Sequence, residues 1–202
     1  YGDHRDLHVR SRRQRQMCIR DSNDTMLYAL GVGFGRDPLN RDELDFVYEK
    51  DLKTIPSMAT VIAWGAGHMR DSGINYLMVV HGEQRLKIYE PLPVAANILV
   101  DSRVTHVIDK GADKGALLVT EVDIKEKQTG KLLCTLGGTT FARGDGGFGG
   151  PKDGSPEPHQ IPDRKPDIIS ELDTTPDQAL LYRLSGDRNP LHSDLDLSLI
   201  HI

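Results

Sequence analysis

Four runs of strand-forming residues follow one another closely at 77–89, 98–109, 116–125 and 131–142. Within them β-branched and polar residues alternate: Val119, Glu121, Asp123 and Lys125 point opposite to Leu118, Thr120, Val122 and Ile124. Gln128-Thr129-Gly130-Lys131 reads as the hairpin turn between the last two. Short turns between consecutive strands set them antiparallel, which predicts a meander in the order of the sequence. Ahead of it, Thr54-Ile55-Pro56-Ser57 reads as a helix start, with Pro56 near the first helical position. Met58, Val61, Ile62 and Met69 supply the apolar stripe, and Gly65 and Gly67 weaken the helix toward its end. A long apolar helix and an antiparallel sheet bury each other best when the sheet wraps around the helix, an α+β domain over residues 23–143. A shorter helix precedes it at 24–30, with Asp24 as cap and Gly31 as stop. The run from Gly31 to Gly35 follows no strand and opens no helix, so its glycines serve a turn rather than a dinucleotide.

The chain of 202 residues has no stretch near the roughly 20 consecutive apolar residues of a membrane span. Its formal charge of −5 argues against a broadly basic nucleic-acid binder. Cys18 and Cys134 are too few for a disulfide scaffold or a cysteine-ligated zinc site. His68, His81 and His106 show no metal-ligand spacing, and His81 reads as a packing or hydrogen-bonding strand residue.

Charge is uneven along the chain. Residues 1–20 hold six Arg against Asp3 and Asp6, and the composition breaks at Asn23. Arg15-Gln16-Met17-Cys18-Ile19-Arg20-Asp21-Ser22 and the terminal Leu197-Ser198-Leu199-Ile200-His201-Ile202 resemble translated sequencing-adapter read-through. Segments 1–22 and 197–202 are therefore expected to be non-native, a reading preferred over a transit peptide or a nucleic-acid-binding arm.

After the expected sheet comes Gly144-Asp145-Gly146-Gly147-Phe148-Gly149-Gly150-Pro151 and a Pro- and Asp-rich stretch. It lacks the Lys, Ser and following helix of a phosphate loop, so 144–170 reads as a linker, with Phe148 as an apolar anchor a linker does not need. Beyond it, Thr175-Pro176-Asp177-Gln178 reads as a capping box, and Ala179, Leu180 and Leu184 mark one face of a helix that Gly186 stops. Asp187 emerges there, and Asn189-Pro190 turns the chain to bring His192 back toward it. A carboxylate and an imidazole so placed can share one water, the first taking its proton and the second orienting it or relaying the proton. Loop punctuation and a surface histidine would give the same bare spacing.

The longer string Tyr182-Arg183-Leu184-Ser185-Gly186-Asp187-Arg188-Asn189-Pro190-Leu191-His192 resembles the signature of the (R)-specific 2-enoyl-CoA hydratases, or hydratase 2, among the MaoC-like dehydratases. Leu27-Tyr28-Ala29-Leu30-Gly31-Val32-Gly33, His81-Gly82-Glu83-Gln84, Tyr89-Glu90-Pro91-Leu92-Pro93 and the 146–150 glycines are similar to its long, two-repeat members. The resemblance spans residues 24–196. It implies a double hot-dog fold, each repeat an antiparallel sheet around a helix, here the N-terminal repeat and, at 171–196, the start of the second. It implies Asp187 and His192 as catalytic residues, with Asn189 and Gly186 positioning water or substrate. Glu49 in Val47-Tyr48-Glu49 matches a glutamate discussed as functional in relatives, against a reading as a solvated acid. The implied lyase reaction is reversible hydration of trans-2-enoyl-CoA to (3R)-hydroxyacyl-CoA, of the fatty-acid β-oxidation type, with no metal or other cofactor. Backbone donors for the enolate oxygen lie, in relatives, around the helix after the motif. An acyl-CoA substrate, a homodimer for the full-length protein, and a cytoplasmic (bacterial) or peroxisomal (eukaryotic) location are also implied. With most of a second repeat lacking, the 202-residue chain itself is expected to be inactive. The alternative from another class is a non-catalytic acyl-CoA-binding module, and a hot-dog thioesterase is disfavoured by the motif.

Overall fold

A computed structural model describes residues 14–63 and 72–198. Five antiparallel strands form one sheet in the order β1-β3-β4-β5-β2: β1 Gln14–Arg20, β2 Val79–Ile88, β3 Ala96–Asp109, β4 Ala116–Glu126 and β5 Leu132–Ala142. Four match the runs expected from alternation to within about two residues. The order differs from a plain meander. β3, β4 and β5 follow one another, but β2 pairs with β5 rather than β3. Residues 89–95 carry the chain past β5 and β4, a span of roughly 14 Å that seven extended residues cover. Leu92 is buried on the way, and the Thr25 hydroxyl donates to the Val94 carbonyl at 2.8 Å, so a helix holds the crossing that a hairpin would have avoided.

That helix is α1, Ser22–Gly31. Its cap is Asp21 and not Asp24: the Asp21 carboxylate accepts from the Asn23 and Asp24 N–H groups, and Asp24 reaches back to the Asp21 N–H. Residues 14–20, set outside the fold from sequence, pair with β3 at the sheet edge. Such pairing uses backbone groups alone, so any extended segment can add there. α2, Arg41–Val47, is capped by Asn40. The apolar helix expected from Pro56 opens as a 3₁₀ turn, Pro56–Met58, and continues as α3, Ala59–Ile62; Gly65, Gly67, His68 and Met69 lie outside the described residues. One face of the sheet (Ile98, Val100, Ile124, Leu133, Cys134, Leu136) packs on Tyr28 and Ala29 of α1 and on Ile55, Met58, Val61 and Ile62. Helices thus gather on one face of an antiparallel sheet, the α+β arrangement. His81, expected to pack, is exposed because the outer strand β2 has little covering it.

The glycine-rich segment begins as part of the domain rather than as a linker. Asp109, only 5% exposed at the end of β3, accepts from the Gly111 N–H at 2.8 Å and from those of Gly147 and Gly149 at 2.7 Å each. Phe148 packs with Ile74, Val79, Ala116, Leu118 and Ala142, which accounts for the apolar anchor. Donation by Gly147 and then Gly111 holds the Asp109 carboxyl below the usual carboxylate range. A depressed folded pKa gives stability that is present above the unfolded value near pH 4 and lost as pH falls through the folded value. Asp109→Asn is expected to melt lower at neutral pH and to show a flatter loss of melting temperature between about pH 4 and pH 2. Parallel acid curves for the two proteins would assign the carboxylate no such role.

Candidate active site

Residues 152–177 hold no helix or strand, and the chain then forms α4, Gln178–Tyr182, followed by a 3₁₀ turn, Arg183–Ser185. Half of the expected capping box forms: the Gln178 side chain accepts from the Thr175 N–H at 3.3 Å. The Thr175 hydroxyl instead serves Asp177, whose pKa that hydrogen bond lowers, with its own backbone and Arg36 assisting. Arg36 ties this segment to the turn after α1, donating to the Asp173 carbonyl and, at 3.2 Å, to the Gln178 side chain.

Gly186 has φ 136°, a conformation that side-chain-bearing residues rarely adopt, and it ends the turn. The next residues fold tightly. Asp187 Oδ1 accepts from the Asn189 N–H at 3.1 Å, and the His192 N–H donates to the Asn189 carbonyl at 3.2 Å, opening the 3₁₀ turn Pro190–His192. This hairpin-like return brings Asp187 and His192 to the wall of one open cavity of about 570 Å³. Gly31 and Val32 from the end of α1 and Thr175, Gln178 and Tyr182 complete most of it. Asn189 is exposed and braces the turn through its backbone, Gly186 shapes it, and neither belongs to the lining. Glu49 lies exposed in the bend after α2 and is not among the lining residues.

Tyr182 was not singled out from sequence. Its ring packs 6.1 Å from that of buried Tyr28, whose hydroxyl donates to Ser57 Oγ at 3.0 Å. Burial, then Tyr28 and the negative charge of Asp187, push the Tyr182 hydroxyl's pKa up, so it remains a proton-bearing donor beside the carboxylate. The capping pattern placed Tyr182 on the motif helix, but its partner on α1 is a long-range contact that no local pattern reports. The expected helix face is also different. Leu180 and Leu184 are 54% and 57% exposed, and Tyr182 and Ser185 make the inward contacts. Among the described residues no three His, Cys, Asp or Glu side chains cluster as metal ligands. No helix among them is long and apolar enough to cross a membrane. A carboxylate and an imidazole on one wall, beside a protonated phenol, form a set able to hold and polarise a water molecule.

Residues 20–144 match the family described as the MFE-2 hydratase 2 N-terminal domain. The chain is 38% identical over 176 residues to 3-hydroxyacyl-thioester dehydratase Y of Mycobacterium tuberculosis, covering 85% of this chain and 59% of that protein. It is 38% identical over 196 residues to the peroxisomal enoyl-CoA hydratase 2 of Arabidopsis thaliana, covering 86% and 62%. Among solved structures, a MaoC-like dehydratase from Phytophthora capsici aligns with a TM-score of 0.79 at 28% identity, covering 97% of this chain and 69% of that one. Full-length peroxisomal multifunctional enzyme type 2 from Drosophila melanogaster aligns with a TM-score of 0.77 at 33% identity, covering 94% and 33%. The chain spans about three fifths of the length of these curated relatives. By its match to that family over most of its length and its likeness to these relatives, the chain belongs to the hydratase 2 family of MaoC-like hot-dog dehydratases.

Proposed function

We propose that this chain carries the N-terminal repeat and the catalytic motif of a hydratase that adds water reversibly to trans-2-enoyl-CoA, giving (3R)-hydroxyacyl-CoA. The observation that carries the proposal is the shared wall of Asp187 and His192 in one cavity, on a chain of this family. The thioester carbonyl draws electron density from the double bond and leaves C3 electrophilic. Asp187 takes a proton from water as the water oxygen bonds to C3, His192 delivers a proton to C2, and passage of the proton from Asp187 to His192 resets the pair, so that one water is consumed and no redox change occurs. Asn189, through its backbone N–H and carbonyl, and Gly186 hold the turn that aligns the pair. Such an enzyme needs no metal or redox group, since the thioester itself supplies the activation. The substrate is an acyl-CoA, the full-length protein is a homodimer, and the enzyme serves fatty-acid β-oxidation, in the peroxisome of a eukaryote or the cytoplasm of a bacterium.

Leu180 and Leu184 are exposed among the described residues, an apolar face of the kind that the sheet of a second repeat would cover. The 202-residue chain is therefore expected to show no hydration of crotonyl-CoA, while a chain continued through a second repeat hydrates it, read as loss of the enoyl-thioester absorbance. An extended chain, intact at Asp187 and His192, that hydrates neither crotonyl-CoA nor longer enoyl-CoAs would refute the proposal. Turnover by the 202-residue chain would refute the requirement for cover.

A further inference from the structure

A second cavity, of about 510 Å³, lies where the 109–115 loop meets the end of β5, and it shares no lining residue with the Asp187 cavity. Lys110, Lys114 and Arg143 line it together with Asp113, Met78 and Phe141. The local architecture forces the three cations together. Gly115 sits at φ 82°, and a Cβ there would overlap the Ala142 carbonyl and the Arg143 backbone, so only glycine lets the loop approach β5 this closely. The same loop is clamped by Asp109, which binds Gly111 on one side and Gly147 and Gly149 on the other. The Lys110 N–H donates to the Gly115 carbonyl at 2.9 Å, and the Arg143 N–H to the Met78 carbonyl at 3.0 Å. Both sides of the cleft are thus fixed before any ligand arrives.

Its electrostatics are unusual for a chain of formal charge −5. Among the described residues, none of the ion pairs involves Lys110, Lys114 or Arg143. Two described carboxylates of the neighbouring turns bond backbone N–H groups instead: Asp109 holds the glycine loop, and Asp145 accepts from the Asn75 N–H at 3.1 Å. Among the described residues only Asp113 adds a carboxylate to the wall, so their lining carries two positive charges in excess.

We propose that this cleft is a second binding site, one that takes a nucleoside phosphate. Lys110, Lys114 and Arg143 would hold the phosphate groups, the arginine by its planar fork and the lysines as point charges. The Phe141 ring and the half-exposed Met78 thioether offer a flat, polarisable wall for a base. Asp113 would accept from ribose hydroxyls or an exocyclic amine, a role that a site for bare phosphate would not need and would be weakened by. The cavity is also of the size that encloses an organic ligand rather than one tetrahedral anion. Two sources carry this chemistry: a free nucleotide, and the adenosine bisphosphate end of a coenzyme A thioester.

Calorimetric titration of the 202-residue chain with adenosine 3′,5′-bisphosphate tests the site without calling on catalysis. Saturable binding is expected that weakens as salt rises and falls by about tenfold or more in Lys110→Ala/Lys114→Ala, both exposed positions whose truncation leaves the melting temperature unchanged. Met78→Ala should weaken the bisphosphate several-fold while leaving inorganic phosphate unaffected. Coenzyme A that displaces the bisphosphate identifies the thioester as the source, and coenzyme A that does not displace it identifies a free nucleotide. Asp187→Asn is expected to leave the bisphosphate affinity as it is, so a failed hydratase reading and a failed nucleotide site give different results. Absence of bisphosphate binding, full affinity in the double lysine variant, or equally tight binding of inorganic phosphate would overturn the proposal.

Discussion

Asp187→Asn, introduced into a chain that carries a complete second repeat, is expected to lower kcat for crotonyl-CoA hydration by about 10³-fold while KM changes little. The amide keeps the size of the carboxylate and its hydrogen bond from the Asn189 N–H but cannot take a proton from water. The loss therefore falls on a step made only in the transition state. His192→Gln should cost a similar factor, and the double variant little more than either single one, because two groups acting on one water are not additive. Circular dichroism and melting temperature should be unchanged, since Asp187 and His192 sit at a cavity wall rather than in the core. Activity within tenfold of the parent in both single variants would remove the pair from the mechanism. A fall confined to KM would recast Asp187 as a substrate-binding group.

The strands were legible because each buries one face, and alternation is a local record of that burial. Their order was not. Whether β2 turns back onto β3 or crosses to β5 depends on what residues 89–95 meet, namely α1 through Thr25 and the core through Leu92. Neither contact leaves a trace in the spacing of Pro91 and Pro93. The glycine-rich stretch illustrates the same limit. Gly146, Gly147 and Gly149 look like linker residues until the carboxylate that gathers their neighbourhood is known, and Asp109 lies nearly 40 positions earlier. Phe148 was the only visible signal, since a solvated linker has no use for a benzyl group.

At the site, Gly186, Asp187, Asn189 and His192 were readable as a turn because glycine, an Asx-type acceptor and proline act on their own neighbours. The opposite wall was not readable. Gly31, Val32 and Tyr28 face α4 across some 150 residues of chain, and only the packing of α1 on α4 brings them there. Glu49 came from resemblance alone and lies in an exposed bend outside the cavity lining.

The stability of the whole arrangement rests on the sheet's inner face, and Ile124→Ala should show this most strongly. Ile124 is fully buried on β4, opposite Val100 of β3 and Cys134 of β5, so the three side chains form one apolar row beneath α1 and the Pro56–Met58 turn. Removing its outer carbons leaves a cavity between the Val100 and Cys134 side chains, whose spacing the paired strands fix and cannot close by shifting. The expected cost is about 2–5 kcal/mol, or a melting temperature lower by roughly 10 °C. Cys134 reports on the same row, because burial, with the Asp123 charge assisting, pushes its thiol up to about 11. In a Cys18→Ser background the parent thiol should react with an aromatic disulfide only at the rate of opening, and Ile124→Ala should raise that rate markedly. Ile88 on β2 lies beside Cys134 but at the exposed outer strand, so Ile88→Ala should cost less than half as much. Equal losses at the two positions would mean that the row is not the core, and that the sheet is held instead through α1 and the segment around it.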